Sequence, residues 1–422
     1  MRILITTFGT DGDVYPYLAI GRRLAARGHD PVIATGERHR ETIEASGIAF
    51  RPIGPLVDPE DTELFARAMD PRRGPEVGIR EILMPGLRES YADTLGAARE
   101  ADAIVTHPIT YAGPIVAEVT GLPWISTVLA PLSLFSRHDL PVIPVAPRLK
   151  RLEGLPGARP ALSWLFRRVT RAWADPVREL RAELGLPPPA GDPIYEGQHS
   201  PACALGLFSR VLARPQPDWP LRTRLTGFPF HDLTSAVDEE ARRLAEFLDA
   251  GPAPIVFTLG SSVVRVAGSF FTESLAAVRQ LGLRAVLLVG DEPGNRPAGS
   301  FGDDAIAIGR APHHALFPRA AVVVHHGGIG TLGQALRAGR PMLIVPRSHD
   351  QPDNAHRAER LGVARVHLHP WPYRARRVAK KLQALLEDPR YAARATEVGA
   401  VVRGEDGVRD ACDAIEEAVL RG

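Results

Sequence analysis

The chain has 422 residues, with 51 Lys or Arg against 49 Asp or Glu, so its formal net charge is only +2. A hydrophobic fraction of 45% and a charged fraction of 24% are typical of a globular protein with a large core. Arg is scattered along the chain, which gives no electrostatic case for nucleic-acid binding. Two Cys residues are too few for a disulfide framework or a cysteine zinc site.

The amino terminus and the hydropathy pattern predict a cytoplasmic protein. The first residues, MRILITTFG, lack the apolar stretch and cleavage site of a signal peptide. No window approaches the run of about 18 apolar residues that a membrane-spanning helix needs. The low Cys count fits a reducing compartment. Peripheral membrane contact is compatible with the sequence, and a monomer or a homodimer is expected.

The first 130 residues predict a parallel α/β sheet. The predicted elements begin with a strand at 2–7, a Gly/Asp loop, a helix at 16–27 and a strand at 31–35. Further along the chain, a strand at 103–106, a helix at 113–120 and a strand at 124–128 are predicted. A strand, a helix and a second strand in this order form a unit whose strands run parallel. Continuous apolar strands bounded by Gly and Pro are typical of a doubly wound sheet.

The pattern changes at 131–189 and then returns. In that segment prolines are dense, and Trp164, Phe166 and Trp173 fall in a helical stretch rich in Arg, which indicates a specialised insertion. The second half is predicted to contain strands at 255–259, 284–289, 305–308, 321–325 and 342–345 and helices at 239–250, 271–280 and 409–421.

These patterns predict an α/β protein with two Rossmann-like domains. The domains are expected at 1–217 and 218–405, and a last helix at 406–422 is expected to pack on the first domain. Ligands of such sheets bind beyond the carboxyl ends of the strands, so the cleft between the two halves is the expected site.

A glycine-rich loop follows the strand at 321–325 and precedes a helix. His325–Thr331, with the sequence HHGGIGT, combines close-approaching backbone amides with a helix amino terminus, both of which favour an anion. The Thr331 hydroxyl either caps the helix or binds a phosphate oxygen. No Lys follows the glycines, so the loop is not a Walker loop, and a tight turn without a ligand is the alternative for such a weak signal.

Two other strand ends carry polar groups. Asp350, Gln351 and Asn354 follow the strand at 342–345, where a carboxylate and two amides on a loop suit the hydroxyls of a sugar. The alternative is a solvated loop with a helix cap. Ser261 and Ser262 follow the strand at 255–259 and either supply donors to phosphate or form an ordinary turn.

The HHGGIGT motif, with Asp-Gln about twenty residues downstream, resembles the donor-binding motif of nucleotide-sugar glycosyltransferases with the GT-B fold. The stretch GTDGDVYPYLAIGRRLAARGH near the amino terminus resembles the same superfamily, the UDP-glycosyltransferases. The longer stretch APHHALFPRAAVVVHHGGIGTLGQALRAGRP, with HDQPDN downstream, resembles sterol glucosyltransferases and rhamnolipid rhamnosyltransferases in particular. The resemblance implies two Rossmann-like parallel-sheet domains that face each other across a cleft, and the carboxyl-terminal domain would bind the donor.

The resemblance also implies roles for single residues. His325 would contact the diphosphate, Asp350 and Gln351 the sugar hydroxyls, and His313 would lie where other members hold the nucleobase with Gln. That departure leaves uracil or thymine recognition open. The residues predicted to hold the donor are Gly12, Ser261, Ser262, Ala311, His313, His325, His326, Gly327, Gly328, Ile329, Gly330, Thr331, Asp350, Gln351 and Asn354.

Sugar transfer to a hydroxyl needs a base, and Asp13 matches the base position of the superfamily. Partial burial is expected to raise its pKa. The alternatives are that Asp13 caps the helix beginning near Pro16, or that Asp11 is the base. His107 follows the strand at 103–106, where plant members carry an Asp that supports a His base, so an inverted Asp–His pair is conceivable.

The expected reaction is a single displacement with inversion, without a cofactor or metal. The donor would be a nucleotide sugar of the UDP-glucose or dTDP-rhamnose type. The hydrophobic, hydroxyl-bearing acceptor (a phenolic, macrolide, sterol or lipid) would contact Phe135, Trp164, Phe166 and Trp173, although each of them could simply pack helices. Two rivals are a UDP-sugar epimerase of the same architecture and a non-catalytic auxiliary homologue.

Overall fold

The structure is a computed structural model that describes residues 1–55, 61–144, 146–232, 239–299, 301–368 and 372–421. The chain divides into two compact units. The first, unit 1, comprises Met1–His231 and Glu405–Gly422, and the second, unit 2, comprises Asp232–Gly404. Unit 2 is therefore one continuous segment, whereas unit 1 is made of two.

Unit 1 contains a seven-stranded parallel sheet in the order β3-β2-β1-β4-β5-β6-β7. Its strands are β1 (Arg2–Thr6), β2 (Asp30–Thr35), β3 (Ala49–Pro52), β4 (Ala103–Thr106), β5 (Trp124–Val128), β6 (Ala204–Gly206) and β7 (Thr223–Leu225). Its first eight helices are α1 (Asp11–Ala26), α2 (Arg40–Ala45), α3 (Thr62–Ala68), α4 (Gly74–Val77), α5 (Leu87–Ala98), α6 (Ala112–Thr120), α7 (Ala158–Thr170) and α8 (Asp175–Glu183).

Unit 2 contains a six-stranded parallel sheet in the order β10-β9-β8-β11-β12-β13. Its strands are β8 (Ile255–Thr258), β9 (Ala285–Leu288), β10 (Ala305–Ile308), β11 (Val322–His325), β12 (Met342–Ile344) and β13 (Ala364–Val366). Its helices are α9 (Glu239–Asp249), α10 (Gly260–Val263), α11 (Phe270–Gln280), α12 (His313–Leu316), α13 (Ile329–Ala338), α14 (Gln351–Arg360), α15 (Ala375–Glu387) and α16 (Pro389–Arg403).

The last helix, α17 (Gly407–Arg421), packs on α1 of unit 1. Arg27 at the end of α1 lies 2.7 Å from the Asp413 carboxylate and 2.9 Å from that of Glu416. The buried Cys412 thiol donates to the Ile20 carbonyl oxygen at 3.7 Å. These contacts attach the carboxyl-terminal segment to the first βαβ unit.

Both sheets have the architecture predicted from the apolar strands. The central strands are buried on both faces, as in residues 3–5 of β1 and 322–325 of β11, because helices cover each side of a parallel sheet. In the described part of the chain, no helix has the length and apolar character needed to cross a bilayer.

The start of α1 was predicted wrongly. The helix begins at Asp11, not near Pro16, so the predicted Gly/Asp loop is its first turn. A capping box starts it: Thr10 precedes the helix, and the Asp13 carboxylate accepts from the Thr10 backbone N–H. Pro16 lies inside the helix and leaves the Gly12 carbonyl without its usual donor. Local capping therefore outweighs the proline at this end.

Candidate active site

Each sheet reverses its winding direction at one pair of strands. In unit 1 the neighbours β1 and β4 are not consecutive in the chain, and in unit 2 the same holds for β8 and β11. The connections leaving such a pair diverge to opposite faces and open a crevice at the carboxyl ends, where ligands of open α/β sheets bind. Asp13, His107, Ser261 and the glycine-rich loop at 325–331 follow these four strands in turn.

At the unit 1 crevice, Asp13 follows β1 and His107 follows β4. The His107 Nε2 atom lies 3.6 Å from the Asp13 Oδ1 atom. His107 is buried, whereas 32% of the Asp13 side chain is exposed. The Ile109 backbone N–H donates to His107 Nδ1 at 3.3 Å, which assigns the ring proton to the Nε2 atom facing Asp13.

The Asp13 carboxylate is held on one side and open on the other. Its Oδ2 atom accepts from the Thr10 backbone N–H at 2.7 Å and from the Thr10 hydroxyl at 3.2 Å. Burial, the largest single influence, opposes ionisation, but the contacts with His107 and Thr10 outweigh it and lower the pKa of Asp13 below its usual 3.8. The expectation of a raised pKa was wrong, because the contacts with His107 and Thr10 together outweigh the effect of burial.

Sequence reasoning missed two residues that shape this site. A Cβ atom at Gly9, whose φ is +130°, would lie 2.3 Å from Asp13 Oδ2, so only glycine leaves room for the carboxylate. The buried His39 lies with Nε2 3.1 Å from the Gly9 carbonyl oxygen. Neither role leaves a local signal, since both depend on contacts made after folding.

Gly9→Ala is expected to displace the Asp13 carboxylate and reduce turnover by about 10²–10⁴-fold, the usual contribution of a general base. Gly28→Ala is the matched control, because Gly28 also has a positive φ, of +85°, but has open space where a Cβ atom would lie. Steady-state kinetics of both variants would separate displacement of Asp13 from backbone strain. Equal losses in the two variants would contradict this role of Gly9.

At the unit 2 crevice, β11 ends at the buried His325. Its Nδ1 atom accepts from the Gly327 backbone N–H at 3.1 Å, which leaves the proton on Nε2. That Nε2 atom is buried and has no hydrogen-bond partner in the part of the chain that the structure describes. Burial, followed by the neighbouring His326 and His313, lowers the pKa of His325 well below 6.5, so the ring is neutral at pH 7. The neutral His325 ring therefore provides an Nε2–H donor at the carboxyl end of β11.

Helix α13 begins at Ile329 with Gly328 as its N-cap, earlier than predicted. Thr331 is thus the third residue of the helix and does not cap it. The first intrahelical bond runs from the Leu332 N–H to the Gly328 carbonyl, so the three preceding amides have no acceptor within the helix. Together with the helix dipole, these amides make the loop suitable for an anion.

The His326 ring explains two of the glycines. A Cβ atom would lie 2.3 Å from the ring at Gly328 and 2.5 Å from it at Gly260, so the ring occupies the space between these residues. Gly260 begins α10, a short helix that replaces the predicted turn and carries the exposed Ser261 and the partly buried Ser262. The ring therefore places the loops after β8 and β11 side by side.

Asp350, Gln351 and Asn354 lie at the start of helix α14 and not on a loop as predicted. Gln351 Oε1 accepts from the Arg347 and Ser348 backbone amides at 2.9 and 3.3 Å. Asn354 Nδ2 donates to the Gly327 carbonyl at 3.0 Å and to Asp350 Oδ2 at 2.6 Å. Gln351 and Asn354 are buried, so they shape the loops, whereas Asp350 is partly exposed.

The other predicted donor residues lie near strand ends. Ala311 and His313 follow β10 and are partly buried, and the His313 ring stacks on Phe317 with centroids 4.3 Å apart. Gly12 lies exposed in the first turn of α1 in unit 1, with Asp13. In the described part of the chain, no three His, Cys, Asp or Glu side chains are grouped so as to bind a metal ion.

The structure separates the four predicted acceptor residues. Phe135 packs against Phe166 and, at a centroid distance of 4.5 Å, against Tyr195. Trp173 is partly buried. Trp164 points outward and is 64% exposed. Phe135 and Phe166 therefore share one aromatic cluster.

Comparisons with known proteins match this arrangement over the whole chain. Residues 3–133 match the glycosyltransferase family 28 N-terminal domain, and residues 277–405 match the erythromycin biosynthesis protein CIII-like C-terminal domain. An O-mycaminosyltylonolide 6-deoxyallosyltransferase from Streptomyces fradiae is 32% identical over 99% of this chain and 97% of its own length. The chain belongs to the UDP-glycosyltransferase superfamily.

Other members of this superfamily show the same relationship. A sterol 3-beta-glucosyltransferase from Neurospora crassa is 29% identical over 98% of this chain, which spans 27% of that longer protein. The glycosyltransferase VinC, whose crystal structure was solved in complex with dTDP, is 21% identical to this chain in sequence. The two structures superpose over the full length of both chains with a TM-score of 0.65. The fold is GT-B, as predicted, and the protein is a nucleotide-sugar glycosyltransferase.

Buried histidines make the stability of this glycosyltransferase depend on pH. Burial lowers the pKa of His313 to about 4 and of His326 to about 3, from 6.5. As pH falls below about 6.5, the unfolded chain binds protons that the folded histidines do not. The free energy of unfolding should therefore fall by about 1.4 kcal/mol per pH unit for each such histidine.

Urea unfolding of the enzyme at pH 7, 6 and 5 would measure this slope. Acidic groups of ordinary or lowered pKa titrate mainly below this range and contribute little to it. His326→Asn should give a shallower slope. A free energy of unfolding that does not change from pH 7 to pH 5 would contradict the prediction.

Proposed function

We propose that the enzyme transfers a sugar from a UDP- or dTDP-sugar to a hydroxyl of a hydrophobic small molecule, with inversion, and that Asp13 is the base. The observation that carries the proposal is the Asp13–His107 pair at the carboxyl ends of β1 and β4. This pair joins a partly exposed carboxylate to a buried ring. The pair lies in the crevice where such sheets bind ligands.

The step needs one proton acceptor and one stabilised leaving group. The acceptor hydroxyl loses its proton to Asp13 Oδ1 while its oxygen attacks the anomeric carbon. The bond between that carbon and the diphosphate oxygen breaks, and its electron pair leaves on the diphosphate. Attack opposite the leaving group inverts the anomeric configuration. Asp13 Oδ1 suits this role, because the Thr10 contacts use Oδ2.

His107 supports Asp13 and is not itself the base in this proposal. Both of its ring nitrogens are engaged, Nδ1 by the Ile109 amide and Nε2 by the facing Asp13. No lone pair is left to take a proton from an acceptor. The ring instead orients the carboxylate through the Nε2–H that faces Asp13 Oδ1.

The unit 2 crevice is proposed to hold the nucleoside diphosphate. Within the described ranges the buried His325 Nε2 donor lacks a partner, and the first amides of α13 lack acceptors within the helix. These fixed donors would stabilise the negative charge that develops on the departing diphosphate. Thr331 and Ser261 would add hydroxyls, and Asp350 would bind a sugar hydroxyl.

The names of the relatives indicate which donor and which acceptor to test first. The Streptomyces fradiae relative is named for the transfer of a 6-deoxyallosyl group to a tylonolide glycoside, and VinC was crystallised with dTDP. A dTDP-deoxysugar and a macrolide are therefore the first pair to test. A UDP-glucose donor and a sterol acceptor are second, because of the Neurospora crassa relative.

A panel of UDP- and dTDP-sugars against macrolide, sterol, phenolic and hydroxy-fatty-acid acceptors tests the proposal by mass shift. We expect a product heavier by one glycosyl group with a hydrophobic acceptor. Proton NMR of that product should show an inverted anomeric configuration. Donor hydrolysis without glycoside for every acceptor, or a retained configuration, would overturn the substrate class or the mechanism respectively.

A further inference from the structure

Unit 1 exposes a group of large apolar side chains on α7 and the segment before it. Leu152, Leu155, Trp164, Leu165 and Val169 are 42%, 58%, 64%, 41% and 60% exposed. Single exposed apolar residues are ordinary, but five within 18 residues, with a Trp among them, are not. We refer to these five residues as the α7 apolar surface.

Helix α7 is amphipathic with its apolar side outward. Trp164, Leu165 and Arg168 follow the spacing that places residues on one side of a helix, and all three are exposed. The opposite side faces the protein: Ser163 is buried, Phe166 contacts Phe135, and the Thr170 hydroxyl lies 3.0 Å from that of Tyr195. Packing within unit 1 therefore does not account for the outward apolar side chains.

The same segment is strongly basic. Residues 140–174 contain seven Lys or Arg and a single acidic residue, Glu153, whereas the whole chain is nearly balanced. The arginines are thus not evenly scattered, which corrects the impression from the overall composition. Glu153 is paired with the nearly buried Lys150 at 2.9 Å. The exposed arginines are Arg148, Arg151, Arg159, Arg168 and Arg171.

We propose that the α7 apolar surface binds the surface of an anionic lipid membrane. Trp and Leu side chains beside arginines are the composition of helices that lie in the interface plane, with apolar groups among the acyl chains and guanidinium groups at lipid phosphates. The excess of exposed arginines over acidic residues in this segment favours an anionic lipid surface over a protein partner, whose surface carries both signs. This surface goes beyond the proposed sugar transfer and does not depend on it.

Vesicle sedimentation of the full chain tests the proposal. We expect binding to phosphatidylcholine vesicles that contain phosphatidylglycerol and little binding to pure phosphatidylcholine. Raising the salt from about 0.1 M to about 1 M shortens the Debye length from about 10 Å to about 3 Å and should weaken binding. Trp164→Ser with Val169→Ser, and separately Arg151→Gln with Arg168→Gln, should each weaken it at least about tenfold.

Leu221→Ser is the matched control, because Leu221 is fully exposed and lies beside two arginines elsewhere in unit 1. It should bind vesicles as the parent does. Failure of the parent to bind anionic vesicles, or equal weakening by Leu221→Ser, would overturn the proposal. A dimer in light scattering that Trp164→Ser with Val169→Ser dissociates would assign the surface to a second copy instead. Unchanged transfer to a water-soluble acceptor in Arg151→Gln with Arg168→Gln would show that the sugar-transfer proposal stands separately.

Discussion

Asp13→Asn is expected to lower turnover by about 10²–10⁴-fold while donor affinity stays near that of the parent. An amide at this position keeps the oxygen that accepts from the Thr10 backbone N–H, so the start of α1 should be retained. It removes the negative charge that would take the acceptor proton. Single-turnover kinetics with saturating donor and isothermal titration of the nucleoside diphosphate would measure the two effects.

Asp11→Asn is the matched control, since Asp11 is the neighbouring carboxylate in the same helical turn. It should retain turnover within a few-fold of the parent. Asp13→Ala should also abolish transfer, but with an added loss of stability of about 0.5–2 kcal/mol from the missing cap. Near-parent turnover of Asp13→Asn, or a greater loss in Asp11→Asn, would reject Asp13 as the base.

His325→Gln is expected to weaken nucleoside diphosphate binding and to lower turnover by about 10²–10³-fold, the usual effect of removing one fixed donor to a developing anion. The parent ring offers a buried Nε2–H that has no hydrogen-bond partner among the described residues. Gln is flexible and places its amide differently, so the donor would not be fixed. Binding of dTDP and UDP by calorimetry, together with turnover, would measure the loss.

His367→Gln controls for the general cost of replacing a buried histidine at a strand end. His367 follows β13 in the same unit and is a buried histidine. Its exposed fraction equals that of His326. Both variants should lose stability, but only His325→Gln should lose nucleotide affinity. Equal loss of nucleotide affinity in the two would mean that His325 acts through the fold alone. Asp13→Asn and His325→Gln should thus differ in binding while both lose turnover.

The sequence predicted the central strands because they are apolar on both faces. Strands β1, β4, β5, β8 and β11 were each placed within one residue at either end. Strands β3, β6, β7 and β13 were not predicted, because none of them has more than two consecutive apolar residues. Two helices begin earlier in the chain than predicted, α1 at Asp11 and α13 at Ile329. Their N-cap residues, Thr10 and Gly328, lie before the first residue of the apolar pattern from which the helices were predicted.

The chemical groups of the site were more predictable than their electrostatics. His325 and the glycines after it were visible as a motif, because strand, loop and helix are consecutive in the chain. The Asp13–His107 contact joins residues far apart in sequence, so its distance and the lowered pKa of Asp13 required the fold. Gln351 holds the loop before α14 through the Arg347 and Ser348 amides. This role could not be predicted, because the sequence does not distinguish a buried Gln from an exposed one.

The two-segment composition of unit 1 has a consequence for synthesis on the ribosome. Unit 2 is continuous and has all of its residues before α17 is made. The surface of α1 on which α17 packs stays uncovered until α17 has been made. All residues of unit 1 are therefore present only after the whole of unit 2 has been synthesised. Chimeras that exchange Asp232–Gly404 with a relative's segment would leave both parts of unit 1 intact.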